Sequence, residues 1–442
     1  MVLQIFLPLF YFLIFLFLIQ RLNFFKEAGF SARSLQLAFT LKALSGLVIF
    51  LLYTYYYPNR LEADTFKYFD DSKPLYNALW NRPGDFFKMM FGYQCENQYF
   101  FEEYYTKMYN WYRSYDNGLI NDNRLVIRVN AIFRLFSFGN YHVHSLFMNF
   151  LCLLGSYRLA QLFYVISESK WRSYFAVFLL PSFVFWSSGI LKEAILIFAL
   201  GIFSWQFYQL MKGSRSIVYY VSLPVLFLVL VAMKMYVFVA LFPALIAWRL
   251  SVNRKRTIAI FIGVFAFFVG MGLLAAQLNP KYDFIHIMAD KQHDFIRLAE
   301  ALDAKSAIPM SYLDYSLWSF LKATPDALLT CFTRPWPTEL KSVLFLPPLF
   351  ENALLLGIIG LALFYRKKIT PNQWKFLVFS IAFSVVLFAI IGLTTPILGA
   401  VVRYKIPALP FLVISGLLLL DSEKLPVWVK NNTWLRWINT HL

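Results

Sequence analysis

The sequence predicts an all-α polytopic membrane protein with about eleven transmembrane helices. Three observations carry this. The 442 residues are 60% hydrophobic, 20% aromatic and only 15% charged, where a soluble chain carries about 25% charged residues. Apolar runs long enough to span a bilayer recur along the whole length. The net charge of +17 comes largely from Lys and Arg in short loops between those runs, as the positive-inside rule requires. That distribution argues for membrane lipids as partners and against nucleic acid.

Taken in order, the expected spans are 2–19, 37–57, 142–164, 172–188, 192–211, 216–232, 235–250, 257–277, 347–365, 373–393 and 404–420. The first is followed by Gln20-Arg21 without a small-residue cleavage site, which argues against a removable signal peptide. Five connections are basic: Arg21 with Lys26 and Arg33; Lys170 with Arg172; Lys212 with Arg215; Arg249 with Arg254, Lys255 and Arg256; Arg366 with Lys367 and Lys368. These are expected on the cytoplasmic side, with the C-terminal Lys424, Lys430 and Arg436. Two long segments, 58–141 and 278–346, then share the outer side of a single 1–442 transmembrane domain. Leu75–Tyr93 has Trp80, Phe86, Phe87 and Phe91 beside Arg82 and Lys88. That composition suits a helix lying in the interface plane. Residues 122–138 read as another amphipathic helix, with Asp122 as its N-cap.

The most informative segment is Glu62-Ala63-Asp64-Thr65-Phe66-Lys67-Tyr68-Phe69-Asp70-Asp71, just beyond the second span. Carboxylates this close to a bilayer usually have a use. Asp64 and Tyr68 are spaced i, i+4 and share a helical face. Asp71 falls on that face, and Asp70 is displaced by about 100°. The pattern suits a general base with a supporting carboxylate; it also suits a solvated loop with Asp64 capping a helix. Asp64, Asp70 and Asp71 are all candidates for the base.

The second constellation is Phe185-Trp186-Ser187-Ser188-Gly189-Ile190-Leu191-Lys192-Glu193. Ser187, Ser188 and Gly189 make a turn, and Lys192 and Glu193 open the next helix. A Lys there opposes the helix dipole. It is better placed if it meets a phosphate, which a helix N-terminus also favours; snorkelling is the alternative. In the third, Val402-Arg403-Tyr404-Lys405-Ile406-Pro407, two cations lie at an expected outer end, against the charge rule. Arg403 can grip a phosphate bidentately; anchoring to anionic headgroups is the alternative. Lys234 interrupts an apolar run, and Arg334 sits in the aromatic loop Arg334-Pro335-Trp336-Pro337. His286, Asp290, His293 and Asp294 fall at helical spacing. Such a set more often marks a solvated face than a metal centre, so no cofactor is called for and a divalent metal lacks support. A bridge between Cys95 and Cys331, both in expected outer loops, would meet a severe geometric demand; three free thiols are the default.

Four segments together resemble the GT-C superfamily of integral membrane glycosyltransferases, closest to uncharacterised members typical of the Bacteroidetes. They are Ala63-Asp64-Thr65-Phe66-Lys67-Tyr68-Phe69, Phe185–Glu193, Thr333-Arg334-Pro335-Trp336-Pro337, and Val402–Pro407 with Pro410. The resemblance implies a periplasmic active site in a bacterial inner membrane. It implies a polyprenyl-phosphate sugar as donor and a glycan, lipid or protein as acceptor. The catalytic base implied is Asp64. One departure is that the acidic loop follows the second span, not the first.

In an inverting transfer a carboxylate takes the acceptor proton as the hydroxyl attacks the anomeric carbon. The leaving phosphate needs electrostatic stabilisation. Arg403, Lys405 and Lys192 are expected to hold it, with Tyr68, Glu193, Lys234, Arg334 and Tyr404 as further substrate contacts. A lipid-pyrophosphate-dependent polymerase or ligase is the nearest rival. A lipid or glycan transporter is the rival of a different class; it would carry charges near the bilayer midplane.

Overall fold

The computed structural model describes residues 2–27, 29–57, 59–112, 121–340 and 342–425. Lys430 and Arg436 lie outside them. The chain forms two compact units. One comprises residues 1–162 with 184–235; the other comprises 163–183 with the chain from 236 onward. Both are helical, and the described residues contain only two isolated β-bridges.

The helices of the first unit begin with α1 (Val2–Arg21) and α2 (Ala32–Leu51), which continues as a π turn over Leu52–Tyr56. Then come α3 (Asp64–Asn81), α4 (Pro83–Phe91), α5 (Gln98–Glu103) and α6 (Asp122–Ser137). The unit's helix α7 (Tyr141–Ser167) runs across its boundary. Next are α8 (Lys170–Phe178) in the second unit and α9 (Pro181–Trp186), which starts there. The first unit then adds α10 (Lys192–Met211) and α11 (Ile217–Met233). The second unit holds α12 (Met235–Ser251) from Tyr236 on, α13 (Thr257–Leu278), α14 (Phe284–Ala301) and α15 (Leu317–Thr333). It ends with α16 (Leu346–Phe364), α17 (Pro371–Thr394), α18 (Leu398–Tyr404) and α19 (Leu409–Leu419).

Seven of these helices are long and apolar enough to cross a membrane, or eight if the bent pair α18 and α19 is one span. Among the described residues that measure does not reach the expected eleven. The span expected at 172–188 is two short helices, α8 and α9, broken at Leu179-Leu180. Pro181 explains the break: it lacks an N–H and disfavours helix at the residue before it, yet it opens α9 readily. The span expected at 404–420 bends by 64° between α18 and α19, where Pro407 interrupts the backbone bonding. Two more expected spans, α11 and α12, are apolar but only 17 residues each.

In the first unit the segment 58–141 is organised by α3 on α6. Asn121, not Asp122, caps α6: its Oδ1 accepts from the Asn123 amide at 3.0 Å. Residues Val126, Ile127, Asn130, Ala131, Phe133 and Arg134 then repeat at helical spacing as the buried face. Lower in the unit α7 and α10 cross at glycines. A Cβ on Gly201 would lie 1.9 Å from the Gly155 carbonyl oxygen, and one on Gly155 would lie 2.3 Å from that of Ile197. Small residues at such a crossing let helix backbones touch. Gly201→Val is therefore expected to destabilise the protein by roughly 1–3 kcal/mol or more. Gly263→Ala on α13, where a Cβ meets open space, should leave stability within about 1 kcal/mol. Thermal unfolding of the two variants checks this; equal midpoints would disprove the close crossing.

In the second unit α15 packs on α17, and α19 packs on α8, α16 and α17. The Thr370-Pro371-Asn372-Gln373 sequence starts α17 with a capping box.

Candidate functional site

Asp64 is the first residue of α3, half-buried, with Ala63 in the capping position. The alternative of Asp64 as N-cap is therefore not the observed one; its charge sits inside the first turn, where the helix dipole favours it. One turn on, Tyr68 is fully buried and its hydroxyl donates to Asn123 Oδ1 at 3.0 Å. The Lys192 ammonium lies 5.8 Å from the Tyr68 ring centroid. Lys192 is the first residue of α10, and it pairs with Asp122 Oδ2 at 2.5 Å. So the negative charge that balances this Lys against the helix dipole is a carboxylate of the chain itself. Asp122 is available for it because Asn121 takes over the cap. The spacing of the sequence placed Asp122 on a helix start but did not reveal its partner.

The other two acidic candidates have structural partners. Asp70 accepts two bonds from Arg60, each 2.9 Å, at the surface. Asp71 is fully buried, and its two oxygens accept the backbone N–H groups of Tyr109 at 2.8 Å and Asn110 at 2.7 Å. It thereby pins the segment before α6. Asn123 donates to the Asn110 carbonyl at 3.1 Å, so the pinned segment leads through Asn123 to Tyr68.

Burial pushes the Asp71 carboxyl up to about 6 from its ordinary 3.8, against the two amides that favour its ionised form. The folded protein then holds the proton more tightly than the unfolded chain. This group's contribution to stability is full below the unfolded value and falls as pH rises from about 4 through 6. Asp71→Asn should abolish that part of the pH dependence and cost about 1–3 kcal/mol, because its NH₂ faces a backbone donor. Unfolding midpoints of both proteins between pH 4 and 7 check this; parallel curves would contradict it.

Glu193 and Lys234, both expected to touch substrate, meet each other. Their ion pair is 2.9 Å long, with the side chains 0% and 5% exposed. Lys234 sits in extended backbone at the end of α11, where the apolar run is interrupted as expected. Lys42, nearly fully buried, donates to Ser187 Oγ at 2.6 Å. Asn149 donates to the Lys42 carbonyl at 3.1 Å and accepts from the Gly189 amide at 2.9 Å, which fixes the Ser187–Gly189 turn. Gly189 takes φ +68°, a conformation suited to glycine. Lys42 escaped the sequence reading, although a lone cation inside the apolar run 37–51 was the signal that could have found it.

The remaining candidates belong to the second unit. Lys405 is 1% exposed and donates to Asn352 Oδ1 at 2.7 Å and to the Cys331 carbonyl at 3.2 Å. It is thus an interior cation, and its expected role at a phosphate would need that interior to open. Glu351, also buried, accepts from the Ser182 amide at 2.6 Å. Arg403 is half-buried on α18. The Tyr404 ring lies 6.0 Å from that of Tyr236, which the Lys291 ammonium faces at 5.0 Å. Arg334 Nε is 3.5 Å from Glu339, its Nη1 is buried without a hydrogen-bond partner, and its carbonyl accepts from Asn352 at 2.6 Å.

The acidic and imidazole groups of α14 are engaged singly. His286 contacts Asp283 at 2.8 Å and stacks on Tyr315, whose hydroxyl donates to Asp290 at 2.8 Å. His293 contacts the Leu313 carbonyl at 3.0 Å, and Asp294 pairs with Arg297 at 2.7 Å. Among the described residues no cluster of three or more His, Cys, Asp or Glu could hold a metal. Cys95, Cys152 and Cys331 are buried free thiols. Comparison of the chain with protein-family models, with curated proteins and with solved structures gives no match.

Proposed function

We propose that this protein is a membrane glycosyltransferase of GT-C type that moves a sugar from a polyprenyl-phosphate donor to an acceptor hydroxyl. The observation that carries the reading is the placement of Asp64. It starts α3 within a short step of a spanning helix, one turn before a Tyr that lies beside the Lys192–Asp122 pair. Asp70 is held by Arg60 and Asp71 by backbone amides; Asp64 is taken as the base because it is the residue at the position the resemblance implies. In the reaction Asp64 takes the acceptor proton, the hydroxyl oxygen bonds to the anomeric carbon, and the bond from that carbon to the phosphate oxygen breaks. The electron pair leaves with the phosphate, which the Lys192 ammonium stabilises once the phosphate takes the place of Asp122 beside it. The site faces outward on the argument from the basic connections, and the resemblance implies that this side is the periplasm of a bacterial inner membrane.

The test is product analysis in a strain lacking the gene. Lipid-linked and envelope glycans from the deletion strain should lack one sugar that the wild-type chain restores. Unchanged glycans would end the reading. Sidedness is tested by cysteine labelling from outside, which should reach 58–141 and 278–346 and miss Lys255 and Lys367 replaced by Cys.

Arg403 is assigned to a lipid-borne phosphate in its own unit. Arg403→Ala should weaken binding of polyprenyl phosphate in nanodiscs more than Arg403→Lys, which keeps the charge but loses the planar fork. Both should exceed a change at the exposed Lys424. Equal affinities across the three would remove Arg403 from the site.

One observation favours transport as a second reading. Lys42 is a buried cation near the middle of α2, and midplane charges mark transport paths. Lys42→Met that abolishes lipid translocation across vesicles, with sugar transfer intact, would establish it.

A further inference from the structure

An open cleft of about 360 Å³ lies on the outer segment of the first unit, away from Lys192 and Asp122. Its walls include Lys73, Asn77, Asn81, Arg82, Tyr104 and Lys107. Lys73, Asn77 and Asn81 follow one another at i, i+4 and i+8 along α3, and all three are exposed. They form a single stripe, turned well away from the Asp64–Tyr68 face. The opposite wall is fastened in place. Asp85 on α4 accepts the hydroxyls of Tyr99 at 2.7 Å and Tyr104 at 2.9 Å, which ties α4 to α5 and the turn after it. The cleft is therefore a formed feature, at the lower end of the roughly 300–1,000 Å³ usual for small-molecule sites.

Its lining is mixed, with three cations, two carboxylates and two primary amides set among apolar surface. Two primary amides one helical turn apart each offer a donor and an acceptor, which suits neighbouring hydroxyls of a sugar ring. The two carboxylates of the lining are already balanced. Asp70 is held by Arg60, and Glu103 lies 4.0 Å from Arg82 and 3.8 Å from Lys107. Pairs as long and exposed as the last two are weak and readily yield to a ligand carboxylate. Lys73 has no ion-pair partner among the described residues. The Tyr104 ring and Pro74 give an apolar wall for the C–H face of a pyranose.

We propose that this cleft binds an anionic saccharide of mono- to disaccharide size, with Asn77 and Asn81 on its hydroxyls and Lys73 and Lys107 on its carboxylate. The site is separate from the transfer chemistry and stands or falls independently of it.

The test is calorimetry on the full chain in nanodiscs with digalacturonate, maltose and inorganic phosphate. Digalacturonate should bind, and maltose should bind about tenfold more weakly for want of its charge. Lys73→Gln should weaken digalacturonate about tenfold and leave maltose unchanged. Asn77→Ala should weaken both sugars. These side chains are exposed, so unaltered unfolding midpoints will show that the variants are intact. Absence of digalacturonate binding overturns the proposal. So does binding that both variants leave unchanged, or phosphate binding as tight as digalacturonate, which would mean a simple anion site. Loss of sugar transfer in Asp64→Asn bears on none of these outcomes.

Discussion

Asp64→Asn is expected to lower sugar transfer by about 10²–10⁴, the usual loss when general-base help is removed. That corresponds to roughly 3–5 kcal/mol of transition-state stabilisation. The substitution is nearly isosteric and keeps an acceptor oxygen at the start of α3. The loss of one favourable charge at a helix N-terminus costs about 0.3–1 kcal/mol. Asp64→Asn should therefore insert and fold while failing to transfer. Asp70→Asn gives the contrast. It breaks a surface pair with Arg60, worth about 0–1 kcal/mol, and transfer should stay within a few-fold of wild type. The measurement is labelled sugar incorporated into lipid-linked product by membranes containing each variant. An active Asp64→Asn protein together with a dead Asp70→Asn protein would move the role to Asp70. Two active proteins would remove both Asp64 and Asp70 from the chemistry.

Glu193→Gln and Lys234→Met should each destabilise the protein by about 3–5 kcal/mol, because either change leaves one buried charge without its partner. The pair is short and almost fully enclosed, and it joins the first turn of α10 to the end of α11. The double variant removes both charges and should regain most of the lost stability, since buried ion pairs seldom repay their desolvation. Thermal unfolding of the three variants gives the coupling directly. Single changes that cost no more than about 1 kcal/mol, typical of exposed pairs, would mean that water reaches the pair. Additive costs would mean that the two charges do not interact.

Much of the helical framework was legible because it is written in short-range patterns. Apolar runs, the turn at Ser187–Gly189, the start of α10 at Lys192 and the interruption at Lys234 all follow from signals that act within a turn or two. The span count was less legible. Hydropathy averaged over the expected spans 172–188 and 404–420 hides Pro181 and Pro407, and each proline divides its apolar run. The cap of α6 was misplaced by one residue because Asn121 and Asp122 are both good caps; Asn121 takes the Asn123 amide while Asp122 pairs with Lys192.

What the sequence alone determined is the class of the protein, its helical membrane character, and which polar residues stand out against the apolar background. Lys192, Glu193 and Lys234 stand out because a charge in an apolar run is visible without knowing its neighbours, and Asp64 and Tyr68 stand out by their i, i+4 spacing in the acidic segment. The tertiary structure decided what each of them meets. Asp122 finds Lys192, Glu193 finds Lys234, Lys42 finds Ser187, and Asp71 finds the amides of Tyr109 and Asn110. These partners lie tens of residues apart or more, beyond the reach of helical periodicity or capping. Burial forces every such group to acquire a partner, but the packing of α3, α6, α7, α10 and α11 selects which partner it acquires.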